Sequence, residues 1–99
     1  MEKRRPHYDL KTIQAQMNCI EAMNLTMTAR HGIKAAGMSL ADALAAIRRL
    51  SPGNFYKAMT VFAESRIWQD VYHAEWKGKA LYIKFQQHDE YFVVSFKER

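Results

Sequence analysis

Two lysines, a tyrosine and a glutamine in the second half of the chain could act together on a phosphodiester. Lys57, Gln69, Tyr82 and Lys97 each fall in a run rich in apolar and aromatic residues. Cleaving RNA without a metal needs a base for the 2′-OH, positive charge at the phosphate and a proton for the departing 5′-oxygen. Lysine can supply the charge, or the base where burial or nearby cations lower its pKa; tyrosine can donate a proton, and glutamine can orient the phosphate. The simpler alternative is a set of solvated side chains on an open sheet.

Strands must position these four residues, because the hydrophobic period changes from 3.6 to 2 after Pro52. The predicted strands are 55–61, 67–73, 80–87 and 91–97, all rich in Val, Ile, Tyr, Phe and Trp. The predicted turns are 62–66, 76–79 and 88–90. Such short connections favour an antiparallel meander.

The alternation assigns side chains to two faces of this sheet. The apolar members of the last two strands point one way: Leu81, Ile83, Phe85, Phe92, Val94 and Phe96. That face must cover the helices, which leaves Tyr82 and Lys97 on the opposite face. The phase of strand 67–73 is ambiguous from the sequence. If Gln69 lies on the polar face, it approaches Tyr82 and Lys97, and Lys57 joins them because it alternates with its two neighbours.

Three helices are predicted in the first half. Asp9 can cap a helix whose stripe is Leu10, Ile13, Met17 and Ile20, and a second helix over 28–36 ends at Gly37. Residues 24–28 alternate and are either a short strand or the lead-in to that helix. Ser39 and Asp42 have the spacing of a capping box for a third helix, which ends before the turn at 51–54. The fold class is α+β: one domain over 1–99, with a helical half at about 8–50 and a strand half at about 54–98, and the helices on one face of an antiparallel sheet.

Length and composition exclude several classes of protein. The chain has 99 residues, 48% of them hydrophobic, and a formal net charge of +5. This length holds one modest core, and the basic excess is compatible with a polyanionic partner. Cys19 is the single cysteine, so no internal disulfide is expected. A signal peptide and a membrane-length apolar run are both missing from the sequence, so a cytoplasmic protein without a membrane partner is expected.

Further residues are candidates for contact with RNA. They are His7, Arg48, Arg49, Lys84 and His88. The two arginines have a competing explanation, since positive charge stabilises a helix C-terminus, and His88 falls in a polar turn. Trp76, in a predicted turn, is favoured over Trp68 as a base-stacking residue, whereas Trp68 is expected in the core. The four histidines are scattered without metal-ligand spacing, so neither a metal nor another cofactor is predicted.

Four blocks of sequence resemble the MqsR toxin family. They are MEKR at the start with PH at 6–7, FYKAMT at 55–60, IWQDVY at 67–72 and VSFKE at 94–98. Their order and spacing are similar to the family's over essentially the whole chain, most strongly from 54 to 98. Residues 14–46 fit loosely, and the hairpin at 86–90 is about one residue longer than the family pattern.

The resemblance implies a RelE-like fold and the toxin of a type II toxin-antitoxin pair. It implies a messenger-RNA endonuclease that needs neither metal nor ribosome and prefers GCU or other GC-starting sites. The family's active-site positions fall on Lys57, Gln69, Tyr82 and Lys97, the set that strand alternation also gathers. The implied partner is an MqsA-type antitoxin, a zinc-binding protein with a helix-turn-helix domain, bound away from the catalytic cleft. The competing hypotheses are a noncatalytic RNA-binding or translation-modulating module and a protein-interaction domain.

Overall fold

The helical half folds largely as its capping signals predict. The computed structural model describes residues 1–61 and 64–99, and its helices are α1 (Leu10–Gln16), α2 (Met27–Ala35) and α3 (Leu40–Arg48). The capping box of α3 is present: the Ser39 hydroxyl accepts the Asp42 N–H, and the Asp42 carboxylate accepts the Ser39 N–H. The Thr26 hydroxyl caps α2 by accepting the Ala29 N–H.

Helix α1 is shorter than the prediction, which carried its apolar stripe on to Ile20. The carbonyl of Met17, which another turn of α-helix would use as an acceptor, instead accepts a 2.8 Å hydrogen bond from Nη1 of Arg48. The chain leaves the helix there and forms a 3-10 turn at Ile20–Met23. Ile20 is therefore 38% exposed, and Met23 enters the core in its place.

The strand half forms one antiparallel sheet in the order β1-β2-β3-β4-β5. Its strands are β1 (Glu2–Lys3), β2 (Phe55–Val61), β3 (Glu64–Trp76), β4 (Lys79–His88) and β5 (Tyr91–Glu98). Part of the predicted turn at 62–66, Phe62 and Ala63, lies outside the described residues, and the rest belongs to β3. The two-residue strand β1 was not predicted, because two residues cannot display an alternation.

The helices cover one face of this sheet, and the core lies between them, as the α+β prediction requires. The strand residues that face the helices are those expected from alternation: Leu81, Ile83, Phe85, Phe92, Val94 and Phe96, with Tyr72 from β3. The position of Tyr72 also resolves the ambiguous phase of the predicted strand 67–73, since Tyr72 points to the core and Gln69 to the other face. Among the helices of the described residues, none is long and apolar enough to cross a membrane.

The outer edge of β5 is covered by the segment that leads into α2. Leu25 pairs in parallel with Val94, and the Thr26 N–H donates to the Val94 carbonyl. Both alternatives predicted for this segment are therefore partly present: Leu25 forms a single β-bridge, and Thr26 is the N-cap of α2. Helix α2 then packs very close to β5 at Gly32, where a Cβ atom would collide with the carbonyl oxygen of Phe96. Only glycine permits this approach.

The N-terminal arm is held against β3 by a buried carboxylate. Asp70 is fully buried and accepts the backbone N–H groups of His7 and Tyr8 at 2.9–3.0 Å. The ring of His7 stacks on Trp68 with centroids 5.1 Å apart. Trp76 lies at the end of β3 and packs against the core, whereas Trp68 lies outside that cluster. The expectation for the two tryptophans was therefore wrong, because β3 is longer than predicted and the arm covers its other end.

Candidate active site

The sheet face opposite the helices, here called the outer face, carries its side chains in three rows set by the strand register. The residues of a row are register partners on neighbouring strands; the first row runs from β3 to β5, and the other two run from β2 to β5. The first is His73, Tyr82 and Lys97; the second is Lys57, Val71, Lys84 and Ser95; the third is Met59, Gln69, Gln86 and Val93. The outer face therefore brings together all four residues of the predicted catalytic set.

Tyr82 lies at the centre of the basic part of this face. It is the direct register partner of Lys97, whose Nζ lies 5.2 Å from the centroid of the tyrosine ring. On the same strand, Lys84 places its Nζ 5.9 Å from that centroid. Two ammonium groups thus flank one phenol, an arrangement that attracts an anion and offers a proton donor beside it.

Lys84 is partly buried between its neighbours. Burial, and then the nearby charge of Lys97, hold the pKa of Lys84 below its ordinary value. These are the two conditions under which a lysine can act as a base. The sequence suggested Lys84 only as an RNA contact, because the depth of a side chain between a helix and a sheet cannot be read from alternation.

A cleft of about 160 Å³ opens beside Tyr82, Lys84 and Lys97, between α2 and the edge of the sheet. Its lining consists of Thr28, Ala29, Tyr82, Lys84, Ser95, Phe96 and Lys97. Helix α2 forms one wall because Gly32 lets it lie against β5. The cleft gives a substrate a recess next to Tyr82, which an open sheet surface would not provide.

Lys57 reaches the outer face through a β-bulge. Phe55 packs against the core, and in a regular strand Lys57, two residues later, would point the same way. The register shifts by one residue at Tyr56, so Lys57 instead pairs with Val71 on the outer face. Nζ of Lys57 forms an ion pair with Glu2 of β1 at 2.9 Å. The hydrogen bond to Glu2 is the main cause of a raised pKa of Lys57.

Gln69 lies in the third row, where its side chain is already engaged. Its Nε2 donates to Oε1 of Gln86 at 2.9 Å. This bond holds the two amides in a fixed relation across β3 and β4. A substrate can use the remaining donor and acceptor positions of the pair.

The other predicted RNA contacts lie away from the cleft. His7 stacks on Trp68 on the helix side of the sheet, and Arg48 donates to the carbonyl of Met17, just after α1. Arg49 lies 5.5 Å from the centroid of the Trp76 ring. His88 is on the outer face but six residues along β4 from Tyr82, about 20 Å away at the usual rise of a strand.

Three further residues of the outer face are not predicted by the sequence pattern: Glu2, Tyr56 and His73. Tyr56 stacks on His73 with centroids 4.2 Å apart, and the His73 ring lies 5.6 Å from that of Tyr82. The bulge places Tyr56 on the same face as Lys57, and a bulge leaves no signature in an alternating pattern. Across the described residues, no group of three or more His, Cys, Asp or Glu side chains could hold a metal ion.

Over residues 1–61 and 64–99, five antiparallel strands with three α-helices on one face, and a cleft bearing lysine and tyrosine on the other, define a small α+β protein of the RelE-like toxin class. A family model described as motility quorum-sensing regulator, toxin of MqsA, matches residues 5–98. The chain is also similar to the mRNA interferase toxin MqsR of Escherichia coli strain K12, with 32% identity over 99 residues and full coverage of both chains. The chain belongs to the MqsR toxin family.

Proposed function

We propose that this toxin is a messenger-RNA endoribonuclease that cuts by attack of a ribose 2′-OH on the adjacent phosphate. The observation that carries the proposal is the convergence of Lys84, Lys97 and Tyr82 on one cleft. Membership of the MqsR family and the name of the E. coli relative support the same activity. The proposed cleavage sites are GCU or other GC-starting triplets, cut without metal or ribosome.

The proposed mechanism gives each outer-face residue one task. Neutral Lys84 takes the proton of the 2′-OH, and the 2′-oxygen attacks phosphorus. Lys97 and Lys57 stabilise the charge that develops on the phosphate oxygens, and the Gln69 amide orients the phosphate. The bond from phosphorus to the 5′-oxygen breaks, and Tyr82 protonates that oxygen.

The products are a 2′,3′-cyclic phosphate and a 5′-hydroxyl. The proton that Lys84 accepted returns to the phenolate of Tyr82, so no water is consumed. The lowered pKa of Lys84 supports its role as the base.

The proposed cellular role is inhibition of translation in the cytoplasm, relieved by a cognate antitoxin. We propose an MqsA-type antitoxin with its own zinc site and helix-turn-helix domain, since the matching family model is described as a toxin of MqsA. Zinc and DNA binding then belong to the antitoxin. The proposed contact lies away from the cleft.

Incubation of the purified protein with a GCU-containing RNA in EDTA tests the activity. We expect cuts at a defined site, with cyclic-phosphate ends, and a loss of about 10² to 10⁴ in rate for Tyr82→Phe. Lys57→Ala should also lose most of the activity. Tyr91→Phe is the matched control, because Tyr91 is an exposed tyrosine at the far end of the outer face. Binding without cutting by the folded protein would instead support the noncatalytic RNA-binding module.

A further inference from the structure

Tyr56 is a large aromatic side chain that the fold holds at the surface. It is 43% exposed on the outer face, opposite to Phe55, which packs against the core, and the bulge in β2 places Lys57 on the same face. One side of its ring rests on the imidazole of His73 in a stacked arrangement, with an angle of 19° between the planes. The ring is therefore supported on one side by the imidazole and remains accessible to solvent.

This pair does not contribute to the core. Neither Tyr56 nor His73 belongs to the hydrophobic cluster beneath the helices. Burial, and then the nearby charge of Arg99, hold the pKa of His73 below its ordinary value, which favours the neutral imidazole. A neutral ring beneath a tyrosine extends the stacking surface without adding a charge that needs a counter-ion.

The pair lies directly beside the proposed catalytic residues. His73 is the register partner of Tyr82, one strand spacing or about 5 Å away. Positive charge borders the pair: Nζ of Lys57 is 5.5 Å from the Tyr56 ring centroid, and Lys97 follows Tyr82 in the same row. A flat aromatic surface bordered by cations fits single-stranded RNA, because its bases stack on aromatic rings and its phosphates bind cationic side chains.

We propose that Tyr56, supported by His73, is a stacking subsite for the nucleobase next to the scissile phosphate. The subsite rests on the proposed ribonuclease function and adds to it the element that positions a base. Stacking tolerates all four bases, so the subsite contributes affinity and placement of the strand more than choice of sequence.

Kinetics of RNA cleavage test the subsite. For Tyr56→Ala we expect KM to rise about tenfold with kcat changed less than threefold, because ground-state placement is lost while the groups that transfer protons remain. Tyr56→Phe should behave as the wild type, and Tyr56→Leu, which keeps apolar area without a π-face, should behave as the alanine variant. Tyr91→Ala is the matched control, because Tyr91 is 41% exposed on the same face. Replacing His73 with alanine should raise KM, and His73→Phe should restore it.

A binding experiment separates the subsite from the catalytic proposal. The probe is an RNA with 2′-deoxyribose at the attacking nucleotide, which cannot be cut, and 2-aminopurine beside the scissile phosphate. Stacking should quench its fluorescence with wild-type protein and Tyr91→Ala, but not with Tyr56→Ala. Equal quenching by all three proteins, together with an unchanged KM for Tyr56→Ala, would overturn the subsite even if the RNA is cut. A wild-type protein that quenches the probe but cuts no RNA would refute the ribonuclease proposal and leave the subsite standing.

Discussion

The carboxylate of Glu2 lies 2.9 Å from Nζ of Lys57, so the chain places an anion of its own on the outer face. An RNA phosphate must compete with this carboxylate for the same ammonium group. For Glu2→Gln we therefore expect KM for RNA to fall roughly two- to fivefold, with a steeper dependence on salt. Steady-state cleavage at several ionic strengths measures both effects.

The control for this change is Glu98→Gln. The carboxylate of Glu98 lies 3.9 Å from Nζ of Lys79 in an exposed ion pair. The Glu98→Gln substitution should therefore leave KM near the wild-type value. An unchanged or higher KM in Glu2→Gln would show that the carboxylate positions Lys57 for the substrate and does not compete with it.

The role of Lys84 as a base predicts a particular dependence on pH. Because burial and Lys97 lower its pKa, the neutral amine becomes populated at a lower pH than in an ordinary lysine. We expect the pH profile of kcat to have an ascending limb whose midpoint lies below 10.5, the ordinary pKa of lysine. In Lys84→Arg the charge stays but the base is lost, so kcat should fall by about 10² to 10⁴ with little change in KM.

Lys79→Arg is the control for this substitution, because Lys79 lies at the start of the same strand. Rates are corrected for alkaline RNA hydrolysis in the absence of protein. If Lys84→Arg cuts at the wild-type rate, Lys84 supplies charge and another group is the base.

Gly32 should be intolerant of any side chain. A Cβ atom there would meet the carbonyl oxygen of Phe96 and lie 3.2 Å from Cα of Lys97, both of them backbone atoms that cannot rotate away. We expect Gly32→Ala to lower the free energy of unfolding by about 1–3 kcal/mol and to widen the cleft, with a loss of activity. Denaturant unfolding measures the first effect. Gly53→Ala is the control, since its Cβ would have ordinary contact with Ser51 at 3.7 Å.

Asp70 should be a strong determinant of stability although it carries no proposed catalytic task. In Asp70→Asn one carboxylate oxygen becomes an NH2 group, which faces the backbone donors of His7 and Tyr8. Because those donors then lose an acceptor in a buried setting, we expect a loss of about 1–3 kcal/mol in the free energy of unfolding. Asp89→Asn should be harmless, because Asp89 is exposed at φ 56°, a conformation that asparagine readily adopts. Equal stability of the two variants would contradict the assigned role.

Tyr72 offers a substitution that should not destabilise the protein. Its ring is fully buried, and its hydroxyl has no hydrogen-bond partner among the described residues. Burial is also the main cause of a pKa raised to about 12. Tyr72→Phe removes the unpaired hydroxyl and keeps the ring contacts with Phe55 and Phe85. We expect the free energy of unfolding to stay equal or to rise by up to about 2 kcal/mol. A clear loss of stability in thermal unfolding would indicate a partner for this hydroxyl.

Local signals in the sequence were sufficient for the class of fold. The capping box at Ser39, the stop after Leu50 and the change of period after Pro52 separate helices from strands without any knowledge of the tertiary structure. Alternation also assigned Tyr82 and Lys97 correctly to the outer face, because β4 and β5 pair without irregularity.

The remaining features depend on contacts between distant residues. At the end of α1 the Met17 carbonyl is bonded to Arg48, a residue of another helix, and the apolar stripe of α1 carries no sign of that contact or of the exposure of Ile20. The strand β1 exists only because β2 offers it an edge. The neighbourhood of Lys84 likewise depends on how closely α2 packs, which Gly32 determines.

The bulge at Tyr56 lets two residues that are adjacent in the sequence serve the same face of one strand. In a strand without this bulge, Lys57 would share the phase of Phe55 and point toward the core. The outer face would then keep the ring of Tyr56 but lose the cation beside it, and a charge would need burial. The irregular pairing is therefore what gives a short stretch of β2 both an aromatic ring and a positive charge on one face.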